Sequence, residues 1–145
     1  MMNTLILSTL TGTNVNNPSQ VINQGWHGSQ PFMTGCLVNT KTACSICSGL
    51  VIDVGVDDKN NLYSVTVEYN SVLWVRYCLL SKCLIALGDK VSLGTKIGIT
   101  YKNLLRFEYC NKDVSDFPVR IGTRQLYKHD PAPVLFGQEL LPGVS

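Results

Sequence analysis

The chain has 145 residues, which fits a single core, and at that size roughly two-thirds of the unfolded surface can be buried. Charged residues make up only 15 %, against ~25 % in ordinary soluble domains, so the surface suits contact with other proteins. A net charge of +2, with twelve Lys and Arg scattered from Lys41 to Lys128, argues against nucleic acid, and no run approaches the ~20 apolar residues of a membrane span.

No Asp, Glu, Lys or Arg occurs before Lys41. The opening segment is rich in Asn, Thr, Ser, Gln and Gly, with Pro18 and Pro31. It reads either as a flexible arm or as one that orders against a neighbouring subunit, where unpaired charge would be costly to bury. The apolar run 5–10 is short and has no basic residue before it, so no signal peptide is expected. The six cysteines, Cys36, Cys44, Cys47, Cys78, Cys83 and Cys110, are expected as reduced thiols packed among apolar side chains. Cys44-x-x-Cys47 alone is a weak zinc signal, because Cys78 and Cys83 do not repeat its spacing.

From there the chain reads as β. Gly49–Val56 is a strand candidate and 57–61 its hairpin loop. Across 62–69, Tyr63, Val65, Val67 and Tyr69 alternate with Ser64, Thr66 and Glu68. The run 72–78 is a third strand. Gly88-Asp89 and Gly94-Thr95 punctuate two short strands around Val91 and 97–100. Leu105, Phe107 and Tyr109 then alternate with Leu104, Arg106 and Glu108 in a last core strand. No long stretch has a helical period. After Asn111, Pro118, Pro131, Pro133 and Pro142 predict an extended tail. The expected organisation is an N-terminal arm (1–30), a β domain (31–117) and an extended C-terminal tail (118–145).

Three segments carry a family likeness. Gly88 to Gly98 form a glycine-bounded hairpin, Gly-Asp-Lys-Val-Ser-Leu-Gly-Thr-Lys-Ile-Gly. Tyr77-Cys78-Leu79-Leu80-Ser81 precedes it, and Leu104-Leu105-Arg106-Phe107-Glu108 follows. Together, from about Gly35 to Cys110, they resemble the lysostaphin-type zinc metallopeptidases, which cut peptide cross-links in bacterial cell walls. The second segment is similar to that family's Tyr-x-His-Leu-Ser and the third to its His-x-His-Phe-Glu. The resemblance implies an all-β fold of the barrel-sandwich type, a lysostaphin-type peptidase-like domain flanked by the two arms.

It also implies which positions would carry the chemistry. The family's two assisting histidines fall at Leu79 and Leu104, and a zinc-binding histidine at Arg106. The first motif, His-x-Gly-x-Asp, aligns with Met33-Thr34-Gly35-Cys36-Leu37. Zinc needs neutral imidazoles, a carboxylate and an open position for water. None of those ligands stands here, and the chain has two histidines in all, His27 and His129. A guanidinium at Arg106 opposes a metal ion; it is expected to pair with Glu108 or another carboxylate, or to meet solvent at a subunit contact. No catalytic residue, metal or cofactor is therefore expected.

No serine-nucleophile elbow or phosphate-cradling loop is present. The expected function is a non-catalytic structural or adaptor subunit of a large assembly, such as a bacteriophage tail or baseplate or a related contractile injection machine, made in the bacterial host cytoplasm and carried in the virion. Its partners would be neighbouring protein subunits gripped by the terminal arms. The alternative is a degenerate wall-peptidase domain that binds peptidoglycan or activates another wall hydrolase. A biotinyl-type carrier domain is a third reading, but Lys90 and Lys96 lack the expected sequence context.

Overall fold

The computed structural model describes residues 4–25 and 35–137. The segment opens with helix α1 (Leu5–Thr11), a short 3₁₀ turn (Pro18–Gln20) and strand β1 (Ile22–Gln24). Nine strands follow up to residue 121: β2 (Cys36–Asn39), β3 (Thr42–Cys44), β4 (Gly49–Val56), β5 (Tyr63–Asn70), β6 (Leu73–Cys83), β7 (Lys90–Val91), β8 (Lys96–Thr100), β9 (Leu104–Asn111) and β10 (Pro118–Ile121). Strand β11 (Arg124–His129) and a one-turn helix α2 (Ala132–Leu135) complete it. Every strand pairing is antiparallel.

The main path of the sheet runs β1-β2-β9-β6-β5-β4-β7. Strand β6 is long enough to serve two neighbours in turn. Its first half pairs with β9, up to Cys78 opposite Arg106. Its second half pairs with β8, from Leu80 opposite Thr100. Leu79 sits at the switch, and its φ of 69° is the left-handed conformation that a side chain disfavours. A bulge of this kind bends a strand and re-aims the side chains beside it.

Period-two alternation decides the core. Val65 and Val67 of β5, Val75 and Tyr77 of β6, and Leu105 and Phe107 of β9 all point into one cluster and are fully buried. Tyr77 meets the edge of the Phe107 ring, with centroids 5.9 Å apart. The Tyr77 hydroxyl lies 2.6 Å from that of Tyr69, which lies 2.8 Å from Ser45 Oγ, so the polar ends that the alternation drags inside are hydrogen-bonded. Gly98 lets β8 run close to β6: a Cβ there would stand 2.6 Å from the Lys82 carbonyl oxygen.

The strands expected from the sequence over 49–111 are present with small shifts of boundary. The terminal segments are different, and the expected arms need correction. Ile6, Leu7 and Leu10 of α1 lie in the main core, as do Val134 and Leu135 of α2, and α1 packs against both β3 and α2. Strands β10 and β11 form a hairpin around Gly122, whose φ is 62°, and β11 then pairs with β9. Pro118 is compatible with this because it opens an edge strand, where its missing N–H is tolerated. Within the described residues, then, parts of 1–30 and 118–145 belong to the domain. All six cysteines are free, five of them buried and Cys83 half-buried.

Candidate functional site

The outer face of the sheet carries what the alternation leaves over. Opposite residues on β6 and β9 make three rungs: Trp74 with Cys110, Arg76 with Glu108, and Cys78 with Arg106. The β10–β11 hairpin covers the first rung, so Trp74, Cys110, Ile121 and Leu126 form a second, smaller apolar cluster. Trp74 donates its indole N–H to Glu68 Oε2 at 2.8 Å, and Arg124 also pairs with Glu68.

The middle rung holds the strongest electrostatic feature. Glu108 has no exposed surface, and three cations converge on its carboxylate. Arg76 Nη1 lies 2.5 Å from Oε1, Arg106 Nε 2.9 Å from Oε2 and Lys128 Nζ 3.2 Å from Oε2. Lys128 reaches it because β11 sets that residue opposite Cys110 on the neighbouring edge of β9. Burial would push the Glu108 carboxyl up, but Arg76, Lys128 and Arg106 outweigh it and hold the group below its ordinary value of 4.5. Burial, followed by the Glu108 charge, pushes the Cys78 thiol up, and the same causes push Cys110 up to about 12. Neither is a thiolate at neutral pH.

An acid-stability signature follows. A carboxyl whose folded value lies below its unfolded one stabilises the fold above about pH 4.5 and loses that contribution as pH falls through the folded value. Wild type should therefore melt well above Glu108→Gln at pH 7, with the gap narrowing as pH drops below 4.5. A gap constant down to pH 3 in paired thermal melts would contradict the cluster.

The third rung opens into a cleft of about 400 Å³ lined by Arg76, Cys78, Leu79 and Arg106 from β6 and β9, and by Asp53, Asp57 and Tyr63 among others from β4, β5 and the turn between them. Two of the three positions singled out by sequence, Leu79 and Arg106, thus share one cleft. Leu104 sits two residues before Arg106 on β9, opposite Asn39, and does not line it. Leu37 stands directly opposite Arg106 on β2. His27 and Met33 lie outside the described residues.

The side chains at these positions do not fit zinc. Leu37, Leu79 and Leu104 offer no donor atom. Arg106 cannot give up its charge, and both Glu108 oxygens are engaged with cations. No group of three or more potential metal-binding side chains occurs among the described residues. His129 donates its Nε2–H to the Asp113 backbone carbonyl oxygen, 2.8 Å away, and packs against Tyr109.

Sequence reading expected a carboxylate partner for Arg106 but did not find Arg76 or Lys128. The two strands that carry Arg76 and Glu108 are readable singly, and only their mutual register sets them opposite. Lys128 lay in a segment read as tail.

No protein-family model matches the chain, and no curated protein does. Among solved structures, lysostaphin in solution aligns at 20 % identity and a TM-score of 0.56 over 77 % of this chain and 47 % of its own. The catalytic domain of the prophage-encoded M23 protein EnpA from Enterococcus faecalis aligns at 20 % and 0.54, over 68 % and 86 %. LytU aligns at 18 % and 0.55, over 84 % and 89 %. The chain thus spans about half the length of lysostaphin and most of the length of the other two. Strand content, antiparallel pairing and these alignments agree: the chain has the lysostaphin-type peptidase fold.

Proposed function

We propose that the protein is a non-catalytic structural or adaptor subunit of a large assembly, with a bacteriophage tail or baseplate, or a related contractile injection machine, as its setting and the virion as its location. The non-catalytic part rests on one observation. Where this fold would need metal ligands, β6 and β9 place the only fully buried acid among the described residues under three cations. Hydrolysis by this fold needs a metal ion with an open position for water, and a guanidinium beside that position repels the ion.

The assembly part rests on surface chemistry. Few charges cover the chain, and Leu84, Leu87 and Leu93 are exposed within one ten-residue stretch. Contacts with neighbouring subunits are accordingly assigned to the folded surface, since α1, α2 and the β10–β11 hairpin are occupied within the domain. EnpA, whose catalytic domain is similar in fold, is prophage-encoded, which supports a phage setting.

Two measurements test this. Purified protein should carry far less than one zinc per chain by elemental analysis and should leave peptidoglycan uncut; about one zinc per chain with wall digestion would overturn the non-catalytic reading. Negative-stain images of particles with a labelled antibody should locate the subunit, and its absence from any particle would remove the assembly reading. The cleft itself favours a second reading, a domain that binds peptidoglycan or activates another wall hydrolase. Strong retention on purified cell walls would select it.

A further inference from the structure

We propose that the cleft over Arg76 and Arg106 is a receptor for the C-terminal carboxylate of a partner protein's tail. The inference rests on the non-catalytic adaptor reading, which leaves the cleft open and supplies a protein as the source of the peptide. Three observations carry it. First, two guanidiniums line one cleft, with side chains 18 % and 25 % exposed, so they are desolvated without being sealed off. Second, Arg76 spends Nη1 on Glu108, while its Nε is buried with no hydrogen-bond partner. That missing acceptor leaves the guanidinium under-compensated, which favours an anion at its cleft-lining edge. Third, Glu108 lies beneath this floor and holds both arginine planes in place, so the receptor is positioned before any ligand arrives.

The acidic part of the lining narrows the ligand class. Asp53 and Asp57 line the same cleft. They repel polyanions, which excludes nucleic acid and polyphosphates as favoured occupants. They accept from N–H donors, which a peptide carries just ahead of its terminal carboxylate. A planar carboxylate matches the forked guanidinium donors, and such charge-assisted contacts are about twice as strong as neutral ones. A volume of about 400 Å³ lies at the small end of ligand pockets and suits two or three residues of a peptide end.

The test uses the full chain, isotope-labelled for NMR, with two probes: N-acetyl-Gly-Gly-Ala as the free acid and as its C-terminal amide. The acid should shift the Arg76 and Arg106 Nε–H signals and the amides of Ser64 and Leu79, and should bind at least about tenfold tighter than the amide. Binding should weaken as salt rises from 50 to 500 mM. Arg106→Gln, checked for an intact melt, should lower affinity for the acid at least about tenfold and leave the amide unchanged. Equal binding of acid and amide by wild type overturns the proposal without recourse to any variant. Tighter binding of N-acetyl-D-Ala-D-Ala than of the L-peptide would overturn the protein-tail assignment in favour of a wall peptide. Parallel titration with ZnCl₂ separates the two levels: zinc binding at this face with wall digestion defeats the non-catalytic reading, whereas silence toward both zinc and the acid defeats the receptor alone.

Discussion

A chain lacking residues 1–15 should lose its cooperative thermal unfolding. Helix α1 inserts Ile6, Leu7 and Leu10 into the main core at 0–2 % exposure, and Val15 follows them at 3 %. Truncating one such side chain to alanine typically costs about 2–5 kcal/mol, because contacts are lost and a cavity remains. Removing the set together approaches or exceeds the ~5–15 kcal/mol by which a domain is stable at all. It would also uncover the face of β3 and α2 against which the helix packs. Near-UV circular dichroism through a thermal ramp reads the outcome. Leu7→Ala alone should remain folded and lose about 2–5 kcal/mol. An unchanged melt after truncation would mean that α1 is dispensable and that its burial contributes little.

Glu108→Ala should be nearly as damaging, at about 3–5 kcal/mol, because it leaves partly buried cations without their carboxylate. The asymmetry with its partners is the informative part. Arg106→Ala removes one of three cations, from a side chain 25 % exposed, and Glu108 keeps Arg76 and Lys128. Its cost should be about 1.5 kcal/mol, that of one hydrogen bond to a charged group. Urea unfolding of both variants at pH 7 gives the comparison. Equal losses would show that the cluster has no centre and that each ion pair stands alone.

The middle of the chain was legible because its strands are amphipathic in the simplest way. In β5 and β9 each second residue is apolar, and the period is visible without partners. The switch at Leu79 was visible only as a motif position. Its left-handed backbone depends on β6 exchanging β9 for β8, which no local pattern encodes. Helix α1 was missed for a different reason. Seven residues span two turns, too few to show a 3.6-residue period, and Leu5 breaks the stripe by pointing to solvent. The β10–β11 hairpin did carry a signal, with Val119, Ile121 and Leu126 alternating around Gly122-Thr123. The four prolines of the region outweighed it, although Pro118 opens an edge strand and Pro131 and Pro133 lie at the start of α2. At the cleft, the residue types were readable one by one, but their convergence on Glu108 is a property of register.

The meeting of α1 with α2 has a consequence for how the chain acquires its structure. Helix α1 is made well before its packing partner α2, and β2 cannot find β9 until some seventy residues more have been made, at ~5–20 residues per second. Until then β6 presents open edges and α1 an uncovered apolar stripe. Loop closure of this length makes folding slow relative to helical domains. Refolding from denaturant should therefore show a late phase in which the Trp74 environment, sealed by the β10–β11 hairpin, reaches its native fluorescence, and the yield at high concentration should be limited by what happens before that seal forms.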